Sequence, residues 1–462
     1  MSRLFGTNGI RGVVNEDMTS ELALAIGNAW GTMLRRTLQR PTVAIGTDAR
    51  LSNSMLKTAI TSGLLATGCD VVDIGLLPTP TLQYAVRERH YDSGVMITAS
   101  HNPPQFNGIK GIAADGTEFS KDVEDTIEDI YFKQDYRLAD WKAVGTLSSW
   151  DGAIDLYVHS ILKCVDVAAI KKKKFHVILD CGNGVGSLTA PLLLEKLGCT
   201  FTPLFCELDG TFPGRNSEPL PENLRALMSS VVEHQAVFGV AQDGDADRAI
   251  FIDEQGKYIW GDQSLALQGQ YITRQCHGGI TVTPVTTSNC FEDVVKANGG
   301  HVIYTAVGSP IVARVMLENE AVFGGEENGG LIFPKMQVCR DSAMSLAMML
   351  ELLAKEQQPL STLIAAIPHY EMNKSKMPCP NDLKQKVLDT LVQRVNDSKD
   401  VTRVDRTDGV KLFVNDGWVL MRPSGTEPIF RVYIQAKTTA HVEALARHYK
   451  GLVQTVIHDL SR

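Results

Sequence analysis

The chain has 462 residues, of which 44% are hydrophobic and 21% charged, enough for roughly two to four globular domains. This composition excludes a disordered or collagen-like chain. The 53 Asp and Glu residues outnumber the 45 Lys and Arg residues, and the resulting net charge of −8 argues against a nucleic-acid-binding protein.

The nine cysteines and the distribution of apolar residues indicate a cytoplasmic protein. None of the cysteines forms a C-x-x-C pair, so we expect free thiols in a reducing compartment instead of disulfides or a zinc site. The N-terminus lacks the apolar core of a signal peptide. The longest apolar stretch, near residues 343–350, is shorter than the about 18 residues that a membrane span needs.

One pattern of elements occurs three times along the chain. Each copy has an apolar strand, a polar loop, a helix ending in glycine, a strand, a helix, a strand and a second polar loop. The first strand and loop of the three copies lie at residues 42–50, 175–186 and 279–289. Strands alternating with helices indicate βαβ units, so the pattern predicts three related mixed α/β domains.

The glycines at the corners between helix and strand support this division. Gly68, Gly198 and Gly299 each follow a predicted helix, where a left-handed backbone suits glycine.

The last part of the chain has a different pattern. Residues 382–397 and 441–460 are predicted helices, and the residues between them alternate as strands do. Asn415, Asp416 and Gly417 form a hairpin signal within these strands. We therefore expect a C-terminal α+β domain with an antiparallel sheet, preceded by a linker near residues 357–368. The predicted domain limits are residues 1–150, 151–251, 252–366 and 367–462.

Ser100 is the first candidate for chemistry, because ligands of open α/β sheets bind beyond the carboxyl ends of the strands. It follows an apolar strand and precedes Pro103 and Pro104, which hold the loop and expose the serine as a nucleophile requires. Lys110 could return toward it as an acid/base or as a phosphate partner. A serine in an ordinary turn is the alternative.

Three alternating aspartates form the second candidate site. Asp243, Asp245 and Asp247 repel one another unless a cation neutralises them, and their oxygen ligands favour Mg²⁺. A calcium-binding EF-hand loop would place its last ligand at Glu254, but Arg248 stands where that loop needs glycine. An acidic turn without a ligand is the other alternative.

The third candidate is a glycine-rich loop at residues 324–330. Glu326, Glu327 and Asn328 offer groups that bind sugar hydroxyls, and a mobile surface loop is the alternative.

The fourth candidate loop resembles a phosphate cradle, with a structured turn as the alternative. A guanidinium, two hydroxyls and free amides lie close together, and a further arginine follows: Arg422, Ser424, Gly425, Thr426 and Arg431.

A different glycine loop, residues 182–186, is close to a dinucleotide-binding fingerprint, with Glu207 at the end of the next strand. Its glycine spacing is one residue short, so we predict a tight turn between strand and helix.

The four candidate loops, in this order, resemble those of the α-D-phosphohexomutase family. Residues 98–103 are similar to its phosphoserine loop and residues 243–248 to its metal loop. Residues 325–330 are similar to its sugar-recognition loop and residues 422–428 to its phosphate-binding loop. The opening segment LFGTNGIRG is also similar to the family's N-terminus, which implies that Arg11 lies near the active site.

This resemblance implies four domains around one central cleft, with one loop from each domain. Ser100 would carry a phosphoryl group, and one Mg²⁺ would be held by this phosphoserine and by Asp243, Asp245 and Asp247. The implied enzyme interconverts hexose 6-phosphate and 1-phosphate through a hexose 1,6-bisphosphate, which also acts as activator.

The resemblance also implies roles for the remaining side chains. Arg248 would stabilise the transferred charge, and Lys110 would be the general acid/base. The sugar and its distal phosphate would be bound by Glu326 and Asn328 and by the fourth-domain loop, on a separate and mobile domain.

Two loops depart from the family pattern. The sugar loop has Asn328 where many relatives have Ser and Gly330 where some have His, and these departures bear on the choice of sugar. The metal loop has Ala246 where Gly is common, a small change that we expect to be tolerated. The opening segment favours the phosphoglucosamine mutase branch, with phosphomannomutase/phosphoglucomutase activity as the alternative. A sugar phosphatase using Ser100 and a non-catalytic sugar-phosphate-binding protein are alternatives of other classes. A monomer and a dimer are both compatible with the sequence.

Overall fold

A computed structural model describes residues 4–6, 8–395, 401–425 and 427–461. This part of the chain contains four separate β-sheets, one in each of four consecutive regions.

The first domain has a six-stranded sheet with four helices. Its strands are β1 (Ile10–Val13), β2 (Thr42–Thr47), β3 (Asp70–Leu76), β4 (Ser93–Ile97), β5 (Phe106–Ala113) and β6 (Leu147–Ser149). Its helices are α1 (Ser20–Leu34), α2 (Asn53–Ala66), α3 (Thr79–Glu88) and α4 (Lys121–Lys133). The order is β1-β5-β4-β2-β3-β6, and β5 runs antiparallel to both of its neighbours.

The second domain has a five-stranded sheet in the order β11-β10-β9-β7-β8. The strands are β7 (His176–Asp180), β8 (Thr200–Leu204), β9 (Phe238–Gln242), β10 (Ala249–Ile252) and β11 (Tyr258–Ile259). The helices are α5 (Ala153–Cys164), α6 (Val167–Lys173), α7 (Ala190–Lys196) and α8 (Arg225–Glu233).

The third domain has a sheet in the order β13-β12-β14-β15-β16. The strands are β12 (Gly279–Pro284), β13 (Gly300–Thr305), β14 (Phe323–Gly325), β15 (Leu331–Phe333) and β16 (Gln337–Arg340). The helices are α9 (Gly261–Gln275), α10 (Asn289–Ala297), α11 (Ser309–Glu318), α12 (Ser342–Glu356) and α13 (Leu360–Ala365).

The fourth domain has an entirely antiparallel sheet in the order β17-β21-β20-β19-β18. The strands are β17 (Glu371–Pro378), β18 (Val401–Asp405), β19 (Val410–Val414), β20 (Gly417–Pro423) and β21 (Ile429–Ala436). The helices α14 (Lys384–Val395) and α15 (Thr439–Leu460) pack on it. Val414 pairs with Gly417 across the predicted hairpin turn, which confirms that turn.

The first three sheets share one topology. In each, three parallel strands stand in the order second, first, third, and an antiparallel strand follows the third. The prediction of three related α/β domains followed by an antiparallel α+β domain is therefore confirmed. The predicted corner glycines have positive φ angles, +87° at Gly68, +69° at Gly198 and +77° at Gly299.

This repeated topology places three of the four candidate loops in equivalent positions. Each connects the third parallel strand to the antiparallel strand that follows it; the loops lie after β4, β9 and β14. The three loops therefore leave the carboxyl ends of equivalent strands, where ligands of such sheets bind.

Packing between the second and third domains explains how two of these loops are held together. One apolar core runs through both domains, and α12 in its middle has twelve buried residues among its fifteen. The segment predicted as a linker forms α13 instead, because it buries Leu360 in the same core. None of the described helices is long and apolar enough to cross a membrane.

Candidate active site

Ser100 lies at the interface between the first and second domains. Its Oγ donates a hydrogen bond to Oδ2 of Asp243 at 2.9 Å, and its amide donates to Thr98 Oγ1 at 2.9 Å. Its φ of 50° falls in the left-handed region that non-glycine residues rarely adopt. The serine is fully buried and not exposed as predicted, because the metal loop covers it. Gly244 of the metal loop lies against the backbone of Ser100, because a Cβ at position 244 would be only 2.5 Å from the Ser100 carbonyl oxygen.

A buried arginine that the sequence analysis missed holds the serine loop. Arg50, just beyond β2, pairs with Asp48 at 3.1 Å. Its guanidinium donates to four loop carbonyls at 2.6–2.9 Å, those of Ser100, Asn102, Pro103 and Phe106. The signal for it was an acid and a base directly after a buried strand at the same sheet edge as Ser100.

The three aspartates meet in one buried cluster. Asp243, Asp245 and Asp247 each offer a carboxylate oxygen, and these oxygens lie within 4.8 Å of one another. Among the described residues, Oδ1 of Asp245 and Oδ1 of Asp247 are buried without a hydrogen-bond partner. Because unpartnered buried carboxylate oxygens are costly, the cluster fits a hard cation with oxygen ligands.

The charges around this cluster are strongly coupled. Burial, Asp247 and Asp245 raise the pKa of Asp243 to about 7. Lys110 is buried and donates from Nζ to Oδ2 of Asp245 at 2.7 Å and of Asp247 at 3.4 Å. Burial lowers the pKa of Lys110, but the two aspartates and Glu118 outweigh it, so the net shift is upward. Lys110 therefore holds its proton, and can donate it or bind a phosphoryl oxygen.

Two further arginines and a histidine line the serine loop. Arg248 Nε lies 3.8 Å from Oδ2 of Asp243 and 3.7 Å from Oδ1 of Asp247. Arg11 donates to Asn102 Oδ1 at 2.9 Å. His101 Nδ1 lies 3.4 Å from Ser100 Oγ, and Arg248 and burial lower the His101 pKa, so its ring is neutral. His101 is a neighbour of the serine that the sequence analysis did not select.

The sugar loop joins this cluster through a second arginine that the sequence analysis missed. Glu326 is buried, and Arg340 donates to its Oε2 at 3.0 Å and to Oδ2 of Asp247 at 2.6 Å. Burial raises the pKa of Glu326, and Arg340 opposes this shift. Asn328 accepts from the amide of Gly330 at 3.1 Å, which closes the loop.

The fourth-domain loop is built by contacts within its own domain. Arg422 pairs with Asp408 at 3.0 Å, and Arg431 donates to Glu427 at 2.7 Å. The Lys384 ammonium donates to the carbonyls of Ser424 and Glu427 at 2.6 Å. Asp408 also accepts from the amide of Val307, which ties the loop's base to the third domain. Gly425 is exposed, and Thr426 lies outside the described residues.

The loop at residues 182–186 forms the predicted tight turn. It runs from β7 into a short 3-10 helix at Val185–Leu188. A Cβ on Gly182 would lie 2.7 Å from Cζ of Arg215, whose guanidinium pairs with Asp180. The arginine therefore fills the space beside Gly182 that a side chain at this position would need.

Comparison with known proteins assigns the family. Models of the phosphoglucomutase/phosphomannomutase family match residues 2–138, 155–256 and 260–370 for its α/β/α domains I, II and III. A fourth model, for its C-terminal domain, matches residues 376–449. The chain belongs to this family. The four matches cover most of its length, and the predicted membership of the phosphohexomutase family is confirmed.

Individual members of the phosphoglucomutase/phosphomannomutase family match over nearly the full chain. A phosphoglucomutase/phosphomannomutase of Thermococcus kodakarensis is 46% identical over 98% of both chains. A protein of Methanopyrus kandleri named as a probable phosphoglucosamine mutase is 40% identical over 100% of both chains. A solved family member from Burkholderia thailandensis superposes with a TM-score of 0.88 at 27% identity, covering 98% of this chain and 97% of the other.

Proposed function

We propose that this chain is a phosphohexose mutase that moves a phosphoryl group between O6 and O1 of a hexose through Ser100. The observation that carries the proposal is the buried contact of Ser100 Oγ with Asp243, 2.9 Å away and beside the other two aspartates. A phosphoryl group on this oxygen would lie next to Lys110 and Arg248 as well. This is a set of groups that stabilises phosphoryl transfer.

The reaction consists of two transfers in opposite directions. Phosphorylated Ser100 gives its phosphoryl group to the free hydroxyl of a sugar monophosphate, so the bond from phosphorus to Oγ breaks and a bond to the sugar oxygen forms. The hydroxyl proton ends on the serine oxygen. The resulting 1,6-bisphosphate reorients, and its other phosphoryl group passes to Ser100 Oγ. The bond from phosphorus to the sugar oxygen breaks, the serine proton moves to that oxygen, and the isomeric monophosphate is released.

The chain's charged groups define the first transfer site. Mg²⁺ held by phosphorylated Ser100 and by Asp243, Asp245 and Asp247 would neutralise negative charge on the transferred phosphoryl group. The Lys110 ammonium is held by Asp245 and Asp247 and is placed to donate a proton or to bind a phosphoryl oxygen.

Most of the remaining candidate residues would bind the substrate away from the serine, and Arg11 would act on the serine loop itself. Glu326 and Asn328 would accept hydrogen bonds from sugar hydroxyl or amino groups. Arg11 would position the serine loop through Asn102. The distal phosphate would be bound by the fourth-domain residues Arg422, Ser424, Gly425, Thr426 and Arg431.

The burial of Ser100 supports a mutase over a phosphatase. A phosphatase must admit water to the phosphoserine, whereas a mutase must exclude water to preserve it. The fully buried Ser100 side chain, in contact with Asp243, suits the second requirement. A non-catalytic binding protein has no need for a nucleophile held against a carboxylate.

We propose glucosamine 6-phosphate as the preferred substrate, supported by the opening segment of the sequence and by the name of the M. kandleri relative. Glucose and mannose phosphates are the second candidates, supported by the name of the T. kodakarensis relative.

A substrate panel tests both levels of this proposal. The 6-phosphates of glucosamine, glucose and mannose are assayed with Mg²⁺ and a catalytic amount of the matching 1,6-bisphosphate. We expect isomerisation of at least one sugar, highest kcat/KM for glucosamine 6-phosphate, and loss of turnover with a chelator. Higher kcat/KM for glucose or mannose phosphates would overturn the sugar assignment alone, and no isomerisation of any sugar would overturn the mutase.

A further inference from the structure

Arg340 connects carboxylates from three domains. It ends β16 in the third domain and is 4% exposed. One terminal nitrogen donates to Asp247 of the second domain at 2.6 Å, and the other donates to Glu326 of the sugar loop at 3.0 Å. Glu118 of the first domain lies 4.0 Å from the first of these nitrogens. Burial lowers the pKa of Arg340, but these carboxylates outweigh burial and raise it overall.

The sugar loop is shaped to let this side chain pass. A Cβ built on Gly330 would lie 2.3 Å from Cδ of Arg340 and 3.0 Å from its Cγ. The alkyl part of the arginine therefore occupies the space that a side chain at position 330 would need. A side chain at position 330 would consequently displace Arg340 and its guanidinium.

The two hydrogen bonds orient the two carboxylates differently. At Asp247, Arg340 engages Oδ2, and Oδ1 has no hydrogen-bond partner among the described residues, with the Arg248 guanidinium near it at 3.7 Å. At Glu326, the guanidinium binds Oε2 and fixes the carboxylate in the sugar loop. Only a planar fork can hold two carboxylates at fixed angles, since the ammonium of a lysine acts as a point charge.

We propose that Arg340 is a positioning residue that couples the cation site to the sugar loop. The inference rests on the proposed function. Arg340 presents Oδ1 of Asp247 to the cation and the carboxylate of Glu326 to the sugar. When the cation fixes Asp247, the guanidinium is also fixed for Glu326. When the sugar fixes Glu326, the guanidinium is likewise fixed for Asp247.

Two variants test this coupling from opposite sides. Arg340→Lys keeps a positive charge among the buried carboxylates but removes the fork. Gly330→Ala keeps the arginine and displaces it. In titration calorimetry of the full chain with Mg²⁺ alone, we expect each variant to bind the ion at least about tenfold more weakly than wild type. We also expect each to show a larger rise in KM for the sugar phosphate than fall in kcat.

Arg314→Lys is the matched control. Arg314 also belongs to the third domain and pairs with a first-domain carboxylate, Asp115 at 2.7 Å. It also contacts the backbone carbonyl of Glu118 at 3.5 Å, which is not the carboxylate that faces Arg340. The Arg314→Lys variant should keep wild-type Mg²⁺ affinity and wild-type KM for the sugar phosphate.

Wild-type Mg²⁺ affinity and KM in both test variants would overturn the coupling. If their melting temperature were lower at the same time, Arg340 would have a purely structural role. Failure of the wild-type chain itself to bind Mg²⁺ would instead count against the proposed metal-dependent function.

Discussion

Asp243 is a buried carboxyl group whose charge would depend on a bound cation. Burial and the negative charges of Asp247 and Asp245 together raise the pKa of Asp243 from the ordinary value of 3.8 to about 7. Without a cation, the carboxyl group of Asp243 is therefore substantially protonated at pH 7 and below. A cation must displace that proton in order to bind.

The first prediction follows from this competition. Below pH 7, Mg²⁺ affinity should fall by up to about tenfold per pH unit, because one proton must leave Asp243 on binding. Above pH 7 the affinity should level off. Calorimetry with Mg²⁺ in buffers of different ionisation enthalpy measures both the affinity and the number of protons released. An affinity that is independent of pH between about 5.5 and 7 would contradict the assignment of this proton.

Sequence reasoning at the residue scale succeeded where the residues are neighbours in the chain. Asp243, Asp245 and Asp247 alternate within one loop, so their mutual repulsion is visible in the sequence. The partners Arg340 and Arg50 were missed, because they lie 93 and 50 positions away from Asp247 and Ser100. Only the packing of β16 and β2 brings them to the site.

At the scale of elements, the loop after β4 is held by the residue that follows β2. These strands are parallel neighbours, so their carboxyl ends lie side by side. Arg50 uses this proximity to bind four carbonyls of the serine loop. Ser100 is thereby kept in its left-handed conformation against Asp243.

The second prediction concerns this clamp. Arg50→Lys should lower the free energy of unfolding by about 2–5 kcal/mol, because one ammonium cannot satisfy four buried carbonyls. It should lower kcat much more than it raises KM, since a displaced Ser100 affects the transfer step most. Urea unfolding and steady-state kinetics measure the two effects.

Arg40→Lys provides the control for this substitution. Arg40 pairs with Asp70 at 2.6 Å on the surface, with 53% of its side chain exposed. Such an exposed pair contributes little to stability, so this variant should resemble wild type in both measurements. Equal behaviour of the Arg50 and Arg40 variants would refute the clamp.

The order of elements was predictable because hydrophobic periodicity and turn residues are local properties. The repeated strand and helix pattern therefore revealed three related domains. The fate of residues 357–368 was not predictable in this way. Their Pro and Gln residues indicated a linker, but contact with α9 and burial of Leu360 in the shared core stabilise a helix there.

At the scale of the whole molecule, the fourth domain is fixed to the third around a buried lysine. Lys411 Nζ donates to the carbonyl of Val285 at 2.7 Å and lies 4.1 Å from the ring centre of Trp418. Across the same interface, Gln435 donates a hydrogen bond to Ser288 Oγ and accepts one from the amide of Asn289. If the fourth domain moves relative to the third, these contacts must break. If they stay intact, the two domains must move together.

The third prediction uses the charge of this lysine. Burial lowers the pKa of Lys411 from 10.5 to about 7, so between these values the unfolded chain binds a proton that the folded chain does not. The free energy of unfolding should therefore rise with pH in this range, by up to about 1.4 kcal/mol per pH unit from this group. Below pH 7 both the folded and the unfolded chain hold this proton, and above pH 10.5 neither does. The rise in the free energy of unfolding from Lys411 is therefore confined to the range between these values.

Lys411→Met isolates that contribution, because other groups titrate over the same range. Urea unfolding of both proteins at several pH values from 7 to about 9 should give a steeper rise for wild type than for the variant. Parallel curves would show that the folded protein keeps Lys411 protonated.

The arrangement of the fourth domain on the third lay beyond sequence reasoning. Its interface joins a backbone carbonyl at residue 285 to side chains in β19, β20 and β21, and none of these forms a motif. The presence of an antiparallel domain was predictable, because its strand alternation and hairpin turn are local.

The central claim is that the phosphoryl group of Ser100 passes between sugar oxygens and not to water. Phosphorus NMR of the purified chain with Mg²⁺, glucosamine 6-phosphate and catalytic glucosamine 1,6-bisphosphate follows every phosphorus atom in one experiment. We predict growth of the 1-phosphate signal to equilibrium with almost no inorganic phosphate, and no reaction by folded Ser100→Ala. Inorganic phosphate released in step with substrate loss, or full activity of Ser100→Ala, would contradict the claim.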